Sequence, residues 1–452
     1  HGQVGPGVRD RASLRLGEGR AVCRPGLQLV GGVCLVSSTR TARGARASGL
    51  SLDVLAQQRN ITVIIIITVM VTHVIPRSEA GELRRLRRVI LYGRRKVGKS
   101  FLVRRFLGPT HYFFVLRSRD VVYVHGDTRE ALSYGEFARL ALELVRHEEY
   151  FVAVDEFQRL PGEFLDLLHS AAGEIRARVF LVGSSLRFVE RVLGEHSPLL
   201  GLFQVYRLDL VKCRDVYAYF RGTLRGRELA KALAFLRDPW LLAFYTDNVD
   251  DALVYSLRNV PGLVGEIFTE EDRRITETYE RVLRAMAMGN YLPRSIASYT
   301  GRPLNEVKPY LRNLMNMGLV KRVKVFGKRK WLYKIRSPIM DLFYYLDTKY
   351  GISEIEAGRE TLKREIDRRL PLYFEDYVRE ALAEKYGGQE EVSLNPQIDG
   401  IITVAGRPVA CVEVKLGRAD RRDEEVFLRK TASLSCTKLL VTPENLHTAL
   451  VS

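Results

Sequence analysis

Short apolar runs and amphipathic stretches alternate from Val89 onward: VILY at 89–92, a helix after Lys99, HYFFV at 111–115, VVYV at 121–124, a helix over 134–146, YFVAV at 150–154, a helix around 164–177 and VFLV at 179–182. Runs this short, rich in β-formers, bounded by loops and separated by helices, predict a parallel sheet covered on both faces. From Leu208 to Arg274 the pattern turns helical, as in a lid. Helices are then expected at 280–288, 294–299 and 304–317, followed by LVKRVKVFGKRKWLYKI, in which two basic strands flank Gly327. Three short helices and a basic hairpin follow the order of a winged helix-turn-helix. A helix over 370–387, alternating strands through Val412, a further helix and the strand KLLVT predict a second, smaller α/β unit. The expected divisions are 1–73, a basic disordered tail ending in an apolar strand; 74–207, an α/β core; 208–275, a lid; 276–346, the winged helix; and 347–452, the C-terminal unit.

Charge sharpens this picture. The 452-residue chain has 71 Lys and Arg against 53 Asp and Glu, a formal net charge of +18. Such an excess favours a polyanionic partner such as nucleic acid, and an acidic protein partner is equally compatible with it. Residues 1–60 are Arg-rich, free of Lys and without a persistent period, hence the expected disorder; everything resembling a domain begins near Val74, with Met70 as a candidate start. ITVIIIITVMVTHVI at 61–75 would reach about 22 Å as a helix, short of a hydrocarbon core of roughly 30 Å, and its β-branched residues suit a buried strand; no membrane association is expected. Cys23, Cys34, Cys213, Cys411 and Cys436 form no C-x-x-C pair, which argues against a disulfide framework or a zinc site and for a reducing cytoplasm.

The strongest chemical signal is Gly93-Arg94-Arg95-Lys96-Val97-Gly98-Lys99-Ser100, which satisfies G-x-x-x-x-G-K-[ST], follows the strand VILY and opens a helix at Phe101. Glycines let backbone N–H groups curl around phosphate oxygens, the helix N-terminus adds positive potential, Lys99 neutralises β/γ charge, and Ser100 holds Mg2+. A second strand ends in Asp155-Glu156, at the sheet edge where Ser100 would also project. Asp155 is expected to hold the metal through water, and Glu156 to orient or deprotonate the attacking water. VFLV leads into Gly183-Ser184-Ser185, where Ser184 either senses the γ-phosphate or sits in an ordinary turn.

YGRRKVGKS, VAVDEFQRLP, LVGSSLRFVERVLGEHSPLLG and the segment from Tyr373 to Lys415 together resemble the archaeal P-loop ATPase family, a group related to AAA and STAND proteins. The resemblance covers roughly residues 74–450. It implies a P-loop NTPase parallel sheet with a helical lid, a winged helix and a restriction-endonuclease-like C-terminal α/β domain, with ATP and Mg2+ as cofactors. Two departures stand out. The arginine usual soon after the Ser-Pro-Leu stretch is missing after Ser197–Gly201, with Arg207 the nearest replacement, and the lid Gly-x-Pro reads Asp238-Pro239, keeping the proline expected on the adenine.

Between Lys308 and Arg336 lie ten cations and no acid, with Trp331 and Tyr333 interleaved. Lys308, Arg312, Lys328, Arg329 and Lys330 are the candidate DNA contacts, and packing of the module on the ATPase is the competing reading. In the C-terminal unit, Glu375, Asp399 and Glu413-Val-Lys415 resemble the PD-(D/E)XK nuclease signature. Asp399 and Glu413 would bind the metal, Glu375 would assist, and Lys415 would position or activate water. Exposed strand charges give the same pattern. The whole predicts a cytoplasmic ATPase coupled to DNA binding, with cleavage left open and a homo-oligomer compatible; the alternative is a STAND-type switch whose nuclease-like unit only binds a partner.

Overall fold

A computed structural model describes residues 73–452 except 186–191, 193–198, 200, 272, 356 and 452, together with the two-residue strands β1 (Leu29–Val30) and β2 (Val33–Cys34). The expectations for the tail, for most of 61–75 and for most of 197–201 lie outside the described residues. The chain divides into His1–Met70, which holds the antiparallel β1–β2 pair, and Val71–Ser452, which holds every other element.

The first sheet contains β3 (Arg88–Tyr92), β4 (His111–Val115), β5 (Val121–His125), β6 (Thr128–Leu132), β7 (Phe151–Asp155), β8 (Arg178–Gly183) and β9 (Gln204–Arg207), in the order β6-β5-β4-β7-β8-β3-β9. The pairs β4–β7, β7–β8, β8–β3 and β3–β9 are parallel. Successive residues point to opposite faces, so Ile90, Val154 and Leu181 pack with Phe113, Phe137 and Phe164, whereas Val89, Ala153 and Phe180 pack with Leu102 and Val103. Residues buried on both sides explain the unbroken apolar runs.

VVYV corrects the expectation of a wholly parallel sheet, because β5 and β6 are antiparallel to their neighbours. Only the turn 116–120, closed by Leu116 N–H donating to Asp120 O at 2.8 Å, separates β4 from β5, and a parallel crossover does not fit in so few residues. The polar, mostly exposed strand TREAL carries no apolar pattern to announce it.

Helices α1 (Glu79–Arg84), α2 (Lys99–Phe101, continuing as π-helix over Leu102–Leu107), α3 (Tyr134–Leu144) and α4 (Glu163–Ser170) complete this layer. A reciprocal capping box between Ser133 and Glu136 starts α3. The segment expected as a lid is helical and comprises α5 (Cys213–Phe220), α6 (Gly226–Phe235), a 3-10 turn at Pro239–Ala243, α7 (Val249–Leu257) and α8 (Val260–Glu270).

Helices α9 (Glu277–Ala287), α10 (Pro293–Thr300) and α11 (Leu304–Asn316) precede the hairpin β10 (Val320–Val325) and β11 (Trp331–Ile335). That hairpin belongs to a second sheet with β12 (Gln389–Leu394), β13 (Gln397–Val404), β14 (Arg407–Val414) and β15 (Thr437–Val441), in the order β11-β10-β12-β13-β14-β15. Strand β10 runs parallel to β12 with Lys324 opposite Glu391 and Val325 opposite Val392. Helix α12 (Pro338–Tyr350) leads to α13 (Arg359–Tyr386), which begins eleven residues before the expected start and contains Pro371. Leu362, Ile366 and Leu370 recur every four residues and are buried, so the early turns bury an apolar stripe despite their many charges. Helix α14 (Arg421–Lys430) crosses from β14 to β15.

One cysteine expectation is overturned: Cys411 and Cys436 form a disulfide across a sequence separation of 25. The α14 crossover returns the chain beside β14, pairing Cys411 with Lys438 in register and so bringing Cys436 alongside. Lack of pairing therefore no longer argues for a reducing compartment. Cys213 is free and buried. Among the described residues, no helix is long and apolar enough to cross a membrane.

Candidate functional site

The phosphate-loop segment leaves β3 and curls before α2. Gly93 lies at φ 157° and Gly98 at φ 87°, and a Cβ on Gly93 would stand 2.0 Å from Leu208 O. The loop therefore passes too close to the backbone after β9 for any side chain at Gly93. A Cβ on Gly98 would lie 3.6 Å from Pro239 Cγ, so the lid proline borders the loop. Lys99 is buried, its ammonium donating to Gly93 O at 2.8 Å and Arg94 O at 3.1 Å. Burial lowers its pKa to about 8, against the raising pull of Glu156 and Asp155. Lys96 and Phe101 face solvent, and Val97 is buried, with its carbonyl accepting from Arg77 at 2.8 Å.

Asp155 ends β7, almost fully buried. Its Oδ2 accepts from Tyr112 Oη at 2.5 Å and its Oδ1 from Glu156 N at 2.9 Å. Both oxygens are thus held in place at the carboxyl edge of the sheet. Glu156 follows at φ 58°, a left-handed conformation that is strained for a residue with a side chain and is tolerated chiefly at functional turns. Its Oε2 is reached by Gln158 Nε2 at 2.7 Å, Arg159 at 3.1 Å and Ser184 Oγ at 3.3 Å. The parallel register β7–β8–β3 brings the ends of all three strands to one edge, and so unites Lys99, Asp155, Glu156 and Ser184. Hard oxygens from Ser100 and Asp155 beside a buried lysine and a backbone cradle fit a Mg2+ nucleotide.

Arg94 and Arg95 are both engaged by acids of later segments. Arg94 is buried and donates to Asp238 Oδ2 at 2.8 Å, which also accepts from Ser337 Oγ at 2.7 Å. Arg95 pairs with Glu266 at 2.6 Å and Glu270 at 2.7 Å, both on α8. Sequence reasoning passed over Tyr112, Gln158, Arg159, Glu266 and Glu270. Gln158 and Arg159, within three residues of Glu156, were a local signal; the lid acids had none.

The ten cations of the basic segment divide into two groups. Lys321 pairs with Glu380 and Glu390, Lys324 with Glu391, Lys334 with Asp376, and Arg336 with Asp209 and Glu380. Their partners come from elsewhere in the chain, which is why an acid-free segment looked unpaired. Lys308, Arg312, Lys328, Arg329 and Lys330 are exposed, as is Arg322, whose guanidinium lies 4.3 Å over the Trp331 ring.

In the C-terminal unit, Asp399 on β13 accepts from Val414 N at 2.9 Å, which fixes it beside β14. Glu413 Oε1 lies 3.6 Å from Lys415 and 3.3 Å from Lys430, while its Oε2 is buried without a partner. Glu375 is raised to about 7 by burial and by the negative charge of Asp399. Among the described residues no group of three or more His, Cys, Asp or Glu is placed to hold a metal ion. Glu375 projects from α13, whereas Asp399 and Glu413 lie on β13 and β14. The unpartnered Glu413 oxygen still leaves that pair fit for a hard cation.

An uncharacterized protein of Methanocaldococcus jannaschii, MJECL04, is 23% identical over 329 residues, covering 66% of this chain and 72% of that one. Among solved structures, the Aeropyrum pernix ORC1 protein in complex with DNA overlaps 64% of this chain and 97% of its own at 17% identity, with a TM-score of 0.29. The Thermotoga maritima RuvB Holliday junction branch migration motor overlaps 62% and 92% at 17% identity, with a TM-score of 0.25. Overlaps this loose bear on no residue of this chain. The family model described as "AAA domain" matches residues 86–208, which span β3 to Leu208 and include the whole phosphate loop, Asp155, Glu156 and Ser184; this portion of the chain is similar to that family.

Proposed function

We propose that this protein is a Mg2+-dependent ATP-binding and hydrolysing switch whose nucleotide state governs DNA contact through the winged helix. The observation that carries the reading is the convergence of Lys99, Asp155, Glu156 and Ser184 at one sheet edge within the segment that matches the AAA domain model. Lys99 would neutralise the phosphates, leaving the two loop carbonyls it now occupies. Ser100 and Asp155 would hold Mg2+, which supplies charge neutralisation at the phosphate oxygens. Asp155 is kept from swinging by Tyr112 and by the backbone of Glu156, so the metal position would be set before nucleotide arrives. Glu156 would take a proton from water, and Gln158 and Arg159 hold its carboxylate until then.

DNA contact is supported by the six exposed cations Lys308, Arg312, Arg322, Lys328, Arg329 and Lys330. The C-terminal unit is read as nuclease-like, with Asp399 and Glu413 as the metal pair and Lys415 beside them. A second reading, in which this unit only binds a partner, is favoured by the two lysines that already neutralise Glu413. Phosphate release measured with and without duplex DNA tests the coupling. A DNA-dependent change in rate is expected, and a rate indifferent to saturating DNA would contradict it.

A further inference from the structure

Helix α8 ends in Glu270, and this lid carboxylate lies inside the phosphate-loop site. Its Oε2 accepts from Ser184 Oγ at 2.8 Å and from Gln158 Nε2 at 3.3 Å, while its Oε1 pairs with Arg95 at 2.7 Å and Arg159 at 3.5 Å. Lys99 lies within electrostatic reach. A hydroxyl, an amide and two guanidinium groups, from the loop, the turn after β7 and the end of β8, thus converge on one anion at the carboxyl edge of the sheet. That donor set is the one a terminal phosphate requires, since phosphate and carboxylate oxygens accept the same charge-assisted bonds.

We propose that Glu270 stands in for the terminal phosphate of the nucleotide in the nucleotide-free protein, and that Arg95 and Arg159 grip that phosphate once it displaces Glu270. The inference rests on the nucleotide-site reading above. A permanent lid-to-core tie would strand its donors on release, yet here each keeps another partner. Arg95 retains Glu266 at 2.6 Å, Arg159 retains Glu156 at 3.1 Å and Val115 O at 2.9 Å, and Gln158 and Ser184 retain Glu156 at 2.7 and 3.3 Å. Departure of Glu270 therefore leaves no buried cation unpaired, which keeps the exchange within reach of binding energy. Arg159 also offers from within the chain the arginine that is missing after Ser197–Gly201. A nucleoside diphosphate lacks the displacing group, so Glu270 keeps its place on ADP and is displaced only by a triphosphate, while α8 stays tied to the loop through Glu266 and Arg95.

The test is equilibrium binding of Mg2+-ATPγS and Mg2+-ADP to the full chain and to Glu270→Gln and Arg159→Ala, with a melting curve for each. Glu270→Gln removes the competing charge and is expected to tighten ATPγS by about tenfold while changing ADP less than about twofold. Arg159→Ala is expected to weaken ATPγS by about tenfold and to spare ADP. Equal shifts for both nucleotides in either variant, or no shift in a folded Glu270→Gln, would overturn the latch while leaving the nucleotide site intact. Failure of wild type and Glu270→Gln alike to bind any nucleotide would overturn the site reading, and the latch with it.

Discussion

Glu375 shows how a single side chain reports on its surroundings. Its pKa rises from an ordinary 4.5 to about 7 because it is largely buried near Asp399 and Asp376. A carboxyl raised by folding adds stability below its unfolded pKa and loses that contribution as pH climbs through the folded value. Glu375→Gln should therefore gain on wild type between pH 4.5 and 7, by about 1–3 kcal/mol, and hold that advantage above pH 7. Thermal melts in EDTA across that range check it, and a difference independent of pH would show that Glu375 is not strained by its charge. Residues of the phosphate loop were legible because eight consecutive positions carry the whole constraint, and Asp155 and Glu156 because a strand end marks them. Tyr112 and Glu270 were not: the one reaches Asp155 across adjacent strands, and the other arrives from the lid more than a hundred residues later.

At the level of elements, the apolar runs announced β3, β4, β7 and β8, whose side chains are buried on both faces. They could not announce β6, which is exposed, or the direction of β5, which depends on turn length. The basic hairpin was also legible, but its place in the second sheet was not, because the β10–β12 pairing joins residues more than sixty apart. That pairing decides which cations remain exposed. Neutralising Lys324 would take from the buried Glu391 the lysine it pairs with, and neutralising Lys334 would leave Asp376 to Arg379 alone, so either would test stability more than binding. Replacing the exposed Lys328, Arg329 and Lys330 together should weaken binding to every duplex sequence alike. The slope of log affinity against log salt should shrink by about 2.7 if all three reach phosphates. A titration in which the slope is unchanged would turn the hairpin tip away from DNA.

Over the whole molecule, the phosphate loop is wired to the helical segment after β9 and to the helices beyond the basic hairpin. Arg94 and Asp238 form a buried pair that Ser337, at the start of α12, completes, and Arg94 NH1 also meets Met340 Sδ at 3.7 Å. From the lid, Arg237 pairs with Glu380 of α13 at 2.8 Å, and Glu380 also binds Lys321 and Arg336 beside the wing. Removing one member of a buried pair of this kind costs about 3–5 kcal/mol, so movement at the loop cannot leave these contacts indifferent. Chemistry at that loop is therefore the central claim. Nucleotide affinity and phosphate release should be measured side by side for wild type, Lys99→Ala and Glu156→Gln. Lys99→Ala is predicted to keep its fold and lose ATP, whereas Glu156→Gln keeps ATP and turns over about a hundredfold or more slower. Unchanged affinity in Lys99→Ala, or undiminished turnover in Glu156→Gln, would contradict it.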